Sequence, residues 1–148
     1  YTCFMQLNLR TDYALRMLMA LAAKDEVVSI DWMADHYDIS RNHLAKVAQD
    51  LVAAGYVVSL RGRGGGLRLA RPPAEINVGD VVRSMENLTG FVACMGGKEK
   101  CVIDGACGLK PALAGAIEAF LTHLDQFDLA QITASQARLL RRLDPERA

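Results

Sequence analysis

Residues 40–71, SRNHLAKVAQDLVAAGYVVSLRGRGGGLRLAR, constrain the fold more than any other part of the chain. Leu44, Val47, Ala48, Leu51 and Val52 recur at the three- and four-residue spacing of one helix face. Arg41, Asn42, Ala45, Lys46 and Gln49 fall on the opposite face. Ser40 is placed to cap this helix, and Gly55 to end it, because glycine takes positive φ without strain. YVVSLR follows as a strand, GRGGG as a flexible turn, and LRLAR as a second strand alternating apolar and basic side chains. A helix with a basic, amide-bearing outer face that runs straight into a basic hairpin leaves few folds open.

The preceding residues narrow the choice. DYALRMLMALAA, 12–23, carries Ala14, Met17, Leu18 and Leu21 at helical spacing, with Thr11 or Asp12 as the expected N-cap. Ser29 caps a short helix, IDWMADHY, and DIS makes a tight turn into the helix at 41. Two helices joined by such a turn, with a third before them and a hairpin after, predict a winged helix-turn-helix over residues 7–71. The fold class is therefore mainly α with a two-stranded β wing. The chain's net charge is zero, but residues 41–71 hold six basic residues and one acidic residue, Asp50. That local excess fits either a polyanion partner or a solvated basic face. GRGGG is not a nucleotide-phosphate loop. It lacks the Gly-Lys-Ser/Thr ending and does not lead from a strand into a helix.

Pro72 and Pro73 close the hairpin, and Asn77 caps a helix, VGDVVRSME, within a connecting segment at 72–93. A cysteine loop follows at 94–107. Residues 109–124 then form a long helix, with Pro111 tolerated only in its first turn. Leu113, Ala116, Ile117, Phe120, Leu121 and Leu124 make one stripe of that helix, and Ala112, Gly115 and Ala119 a second, small-residue side. So wide an apolar surface predicts packing against its copy in a twofold dimer. The expected dimerisation region is 108–133, a long helix and a following short one. The tail, 134–148, mixes charges and is expected to fray.

The loop CMGGKEKCVIDGAC sets three cysteines, Cys94, Cys101 and Cys107, in an x6 and x5 spacing. Zinc knuckles usually bring ligands in closer pairs. Wider gaps suit a loop wrapped around a larger object, and an iron–sulfur cluster is one such object. Zinc and buried structural thiols stay open as alternatives. The loop has no histidine to act as a base, which argues against a nucleophilic cysteine. Residues 1–9 lack a signal-peptide layout, so a reducing cytoplasm is expected, where clustered cysteines read as metal-binding or redox groups. Residues 1–4 are read as a non-native leader, with Met5 as the natural start, and Cys3 is set aside with them. No apolar run reaches the length of a membrane span.

RTDYALRMLM, ISRNHLAKV, AGYVVSLRGRGGGLRLARP and INVGDVVRSMEN, followed by the spaced cysteines and the long helix, resemble the iron–sulfur winged-helix regulators. That family includes NsrR, IscR and RirA, and the resemblance spans residues 7–133. It implies a homodimeric bacterial transcription factor, not an enzyme, binding an inverted-repeat operator. IscR-like members complete a 2Fe–2S site with a histidine three residues after the last cysteine; Lys110 stands there in this chain. DVVRSMENLTGFVAC and CGLKPAL are closer to the nitric oxide-sensing NsrR branch. The resemblance then implies a 4Fe–4S cluster, with 2Fe–2S as the other form. Its ligands would be Cys94, Cys101 and Cys107, plus the partner subunit's Asp12; an N-cap is the plainer role for that aspartate. Arg41, Asn42, His43 and Lys46 are the expected base-reading residues, and Arg61 and Arg63 the expected wing contacts. Two rivals remain at the level of sequence. One is an iron- or cluster-status regulator like RirA or IscR. The other is an iron–sulfur or zinc protein that does not bind DNA.

Overall fold

The computed structural model describes residues 7–88 and 101–145. Three helices come first: α1 (Leu9–Lys24), α2 (Ile30–Tyr37) and α3 (Arg41–Ala53). Ser29 caps α2 as expected, its side chain accepting from the Trp32 N–H. Ser40 occupies the N-cap of α3 without a side-chain hydrogen bond. Gly55, at φ 78°, ends α3: its N–H donates to the Val52 carbonyl and the Tyr56 N–H to that of Leu51. This crossed pair satisfies carbonyls that a helix end leaves open, and it turns the chain directly into the hairpin. Strands β1 (Val57–Leu60) and β2 (Gly66–Leu69) pair antiparallel, Val57 opposite Leu69 and Leu60 opposite Gly66. The fold is a winged helix-turn-helix, with strands one or two residues shorter than the sequence pattern suggests.

Three expectations need correction, and one contact was not expected. α1 begins at Leu9, and its cap is Asn8, whose side chain accepts from the Arg10 N–H, not Thr11 or Asp12. Thr11 is fully buried and Asp12 lies inside the first turn. Val52, assigned to the apolar stripe of α3, is 41% exposed, because it lies about 100° round the helix from Leu51, at the edge of the buried face. The tail does not fray at 136: Gln136–Leu143 forms a helix, α7, that packs on α1. Leu143 is buried there, and the Gln136 amide donates to the Ala23 carbonyl. Finally, the sheet gains an unforeseen neighbour. Val28, between α1 and α2, exchanges two backbone hydrogen bonds with Leu67 at 2.9 and 2.8 Å.

The core joins all these elements. Met17, Leu18 and Leu21 of α1, Met33 of α2, and Leu44 and Leu51 of α3 are buried, with Val57 and Leu67 inserted from the hairpin. After a 3-10 turn at Pro73–Glu75 come α4 (Val78–Met85), capped by Asn77, and then α5 (Leu109–Leu124) and α6 (Leu129–Ile132). The far end of α5 is clamped to the start of α4. Asn77 Nδ2 donates to the Asp125 carbonyl (2.8 Å), and the Val78 N–H to that of Phe127 (3.0 Å). The Arg83 guanidinium donates two bonds to the Asp125 carboxylate, at 2.5 and 2.7 Å. Gly79 makes room for that pair, since a Cβ there would sit 2.0 Å from Asp125 Oδ1.

Candidate nucleic-acid interface and cysteine segment

Because α3 buries Leu44, Val47, Ala48 and Leu51, its opposite face is forced outward. Arg41, Asn42, His43 and Lys46 are all exposed on it, in the first turn and a half, where side chains of a recognition helix can reach base edges. Their surroundings differ. The side chains of Asn42, His43 and Lys46 make no hydrogen bond or ion pair among the described residues. Arg41 does: its Nε donates to Asp31 Oδ1 in the first turn of α2. His43 and Lys46 also line a cleft of about 540 Å³ between α1 and α3, shared with Leu9, Arg10 and Tyr13.

The wing carries Arg61 and Arg63 in its exposed turn, and neither meets an acidic side chain among the described residues. Gly62, Gly64 and Gly66 take positive φ there, and the Gly65 N–H closes the turn on the Gly62 carbonyl at 3.0 Å. A Cβ on Gly65 would lie 2.4 Å from the Leu60 carbonyl oxygen, so the turn is built around a missing side chain. Unpaired guanidinium groups on a thin, side-chain-poor loop can approach a phosphate backbone closely. Arg71 is less free, stacked 5.1 Å from the Tyr56 ring centre.

Cys94 lies outside the described residues. Cys101 is exposed and Cys107 half-buried, both as free thiols, in a run of turns that includes Gly105 at φ 89°. Lys110 Nζ donates to Asp104 Oδ1 at 3.2 Å. Among the described residues, no three His, Cys, Asp or Glu side chains converge as a metal site. Asp12 is held by its own helix, ion-paired with Arg16 at 2.9 Å. The donor set on this segment, accessible soft thiols on a backbone free to turn, fits a thiolate-bound metal group in kind.

Sequence reasoning missed what surrounds Asp12. The Thr11 hydroxyl donates to Glu86 Oε2 (2.5 Å), and Glu86 also accepts from the Asn8 N–H (3.1 and 3.3 Å). Glu86 is the C-cap of α4, eight positions before Cys94 in the sequence. Arg10, on another side of the same turn, donates to Asp50 of α3 at 2.7 Å. Three consecutive residues of α1 thus face the recognition helix, the end of α4, and Arg16. The only sequence signal was a polar triplet at a helix start, which capping explains equally well. Farther along α1, the Tyr37 hydroxyl donates to the Arg16 carbonyl (2.9 Å), and burial pushes its pKa up to about 12.

A helix-turn-helix with an outward polar reading helix and a bare arginine wing defines a DNA-binding regulator of the winged-helix class. Residues 7–135 match the Rrf2 family, described as an iron-dependent transcriptional regulator, and the chain belongs to that family. The HTH-type transcriptional regulator NsrR of Bacillus licheniformis is 45% identical over 135 residues, spanning 89% of this chain and 94% of that protein. Among solved structures, T. potens IscR superposes with a TM-score of 0.68 at 26% identity, covering 88% of each chain. CymR (YrzC), the global cysteine regulator of B. subtilis, gives 0.69 at 22% identity, covering 89% of this chain and 98% of its own, and shows the shared fold. These relatives are transcriptional regulators, a non-enzymatic role. No helix among the described residues is long and apolar enough to cross a membrane.

Proposed function

We propose that this chain is a homodimeric repressor whose grip on operator DNA is governed by an iron–sulfur cluster, with nitric oxide as the signal. Cys94, Cys101, Cys107 and the partner subunit's Asp12 would hold the cluster, 4Fe–4S in preference to 2Fe–2S. When bound, it supplies iron open to attack by nitric oxide, above all where a hard carboxylate replaces a soft thiolate. Arg41, Asn42, His43 and Lys46 read bases, while Arg61 and Arg63 hold the backbone or a narrow minor groove.

The observation that carries this reading is the first turn of α1. Asp12 shares it with Arg10, which grips the recognition helix through Asp50, and with Thr11, which grips the C-terminal end of α4, the helix before the cysteine segment in sequence, through Glu86. A pull on Asp12 therefore acts on both. Arg16 keeps an opposite charge beside the carboxylate while Asp12 is not a ligand. Dimerisation is supported by α5: of its sixteen residues only Leu121 is buried, and Leu109 and Phe120 stay 63% and 38% exposed. An inverted repeat read by two copies fixes the spacing of the reading heads, so a small displacement weakens binding. The proposed division is 7–71 for DNA, 72–93 as connection, 94–107 for the cluster, 108–133 for dimerisation and 134–148 as a C-terminal segment that carries α7.

The test is an anaerobic titration. Stoichiometric nitric oxide should bleach the cluster's absorption and release operator DNA over the same range; either change without the other refutes the coupling. The family's description as iron-dependent favours one second reading, an iron-responsive regulator like RirA or IscR. In that case chelation would release the operator and nitric oxide would act no more strongly than iron loss alone.

A further inference from the structure

We infer that Asp31 is a positioning residue that aims the Arg41 guanidinium at a single guanine and penalises docking on the wrong sequence. The inference rests on the reading of α3 as the recognition helix. Arg41 is the first residue of α3, where a cation faces the positive end of the helix dipole. Asp31 lies ten residues earlier, across the turn of the helix-turn-helix. Both side chains are about two-thirds exposed, at 65% and 66%, so the pair adds little to folding. Its consequence is geometric. A guanidinium has five donors in a rigid fork. With Nε engaged by the carboxylate, no other partner among the described residues takes the edge formed by the two Nη groups. That edge matches guanine O6 and N7. Asn42, His43 and Lys46 have no such support.

The carboxylate has a second effect. It carries a negative charge on the face that meets phosphates, so it opposes docking wherever no guanine engages Arg41. Specificity is a difference of affinities, and a repulsive element widens it.

The experiment uses the full chain purified anaerobically and a duplex library with a randomised core. Bound sequences are read out for the native protein, Asp31→Asn, Arg41→Ala and the double variant. The native protein should select a guanine at one position per half-site. Asp31→Asn should lower that preference about tenfold, leave other positions as they were, and bind random DNA more tightly with a salt slope steeper by about one. In the Arg41→Ala background, Asp31→Asn should change the position-specific profile no further. If Arg41→Ala abolishes the guanine preference and Asp31→Asn leaves it intact, the role of Asp31 is overturned while α3 remains the reader. If the native protein selects nothing, or Arg41→Ala keeps the native profile, the underlying reading fails and the inference with it.

Discussion

The Thr11–Glu86 contact offers a direct measure of how firmly α1 is tied to the end of α4. Thr11→Val keeps the buried shape and nearly the same helix propensity, but removes the hydroxyl that donates to Glu86 at 2.5 Å. A hydrogen bond to a charged acceptor is worth about 1.5–3 kcal/mol. Glu86 is not orphaned, because the Asn8 N–H still reaches it at 3.1 Å. The lower part of that range therefore applies, about 1.5–2 kcal/mol. For a chain of this size that lowers the melting temperature by roughly 3–8 °C. Glu86→Ala changes the sign of the argument. Thr11 then carries a buried hydroxyl without its acceptor, and replacing it by a methyl should cost about zero or stabilise. Urea unfolding of the four proteins, metal-free and reduced, gives the coupling energy directly. If Thr11→Val costs the same with and without Glu86, the hydroxyl does not act through that carboxylate, and the proposed tie between α1 and α4 is wrong.

Four further outcomes follow from the same geometry. Gly66→Ala would place a Cβ 2.5 Å from the Val28 carbonyl oxygen; it should cost about 1–3 kcal/mol in urea unfolding and raise exchange at the Val28 and Leu67 amides. The hydrogen bond and charge of Arg83 hold the Asp125 carboxyl below its ordinary range, against a smaller opposing effect of burial. Its stabilisation is thus complete above the unfolded carboxyl's pKa and lost as pH falls through the lower folded value; the native protein's advantage over Asp125→Asn should shrink in acid, and a pH-independent difference would contradict this. Arg63→Ala should weaken binding across many sequences and reduce the salt slope by about one, so an unchanged slope removes Arg63 from the phosphates. Phe120→Glu, on the open face of α5, should yield a folded monomer in sedimentation velocity if that face is the dimer contact, and an unchanged mass if it is not.

How legible these features were depended on the range of the interactions that decide them. The stripe of α3, Gly55 and the hairpin lie within thirty residues of one another, and local periodicity with turn chemistry placed them. Asn77 and the limits of α5 were likewise local. The start of α1 was not: Thr11 and Asp12 are good capping types, but a partner 75 residues away, Glu86, buries Thr11 and moves the cap to Asn8. Val28 joins the wing by a single residue, too short to leave a pattern. Counting charge from 41 to 71 treated Arg41 as free, because its partner Asp31 lies outside that window. The helix at 136–143 did carry a signal, Leu139, Leu140 and Leu143 among arginines at helical spacing, outweighed by the mixed charge around it.

The same contacts bear on how a proposed change at the cysteines would reach DNA. Successive helical residues point about 100° apart, so Arg10, Thr11 and Asp12 address three directions from one rigid turn. They are not equally stiff. Thr11 is fully buried against Glu86, whereas Arg10 and Asp50 are 45% and 37% exposed and form a pair worth about 0–1 kcal/mol. At the turn itself the Thr11 contact is therefore the firmer one, while α1 and α3 are also held together deeper down by Met17, Leu18, Leu44 and Leu51 in the common core. α5 has the opposite layout, clamped near Asp125, with Leu121 alone buried among its sixteen residues. Under the proposed cluster control, a displacement passed through α4 to the first turn of α1 would reach α3 through Arg10 and Asp50, the exposed end of the α1–α3 contact. Such a route would leave the buried core in place while the setting of α3 changes, which is what a regulator needs if its signal is to alter grip without unfolding it.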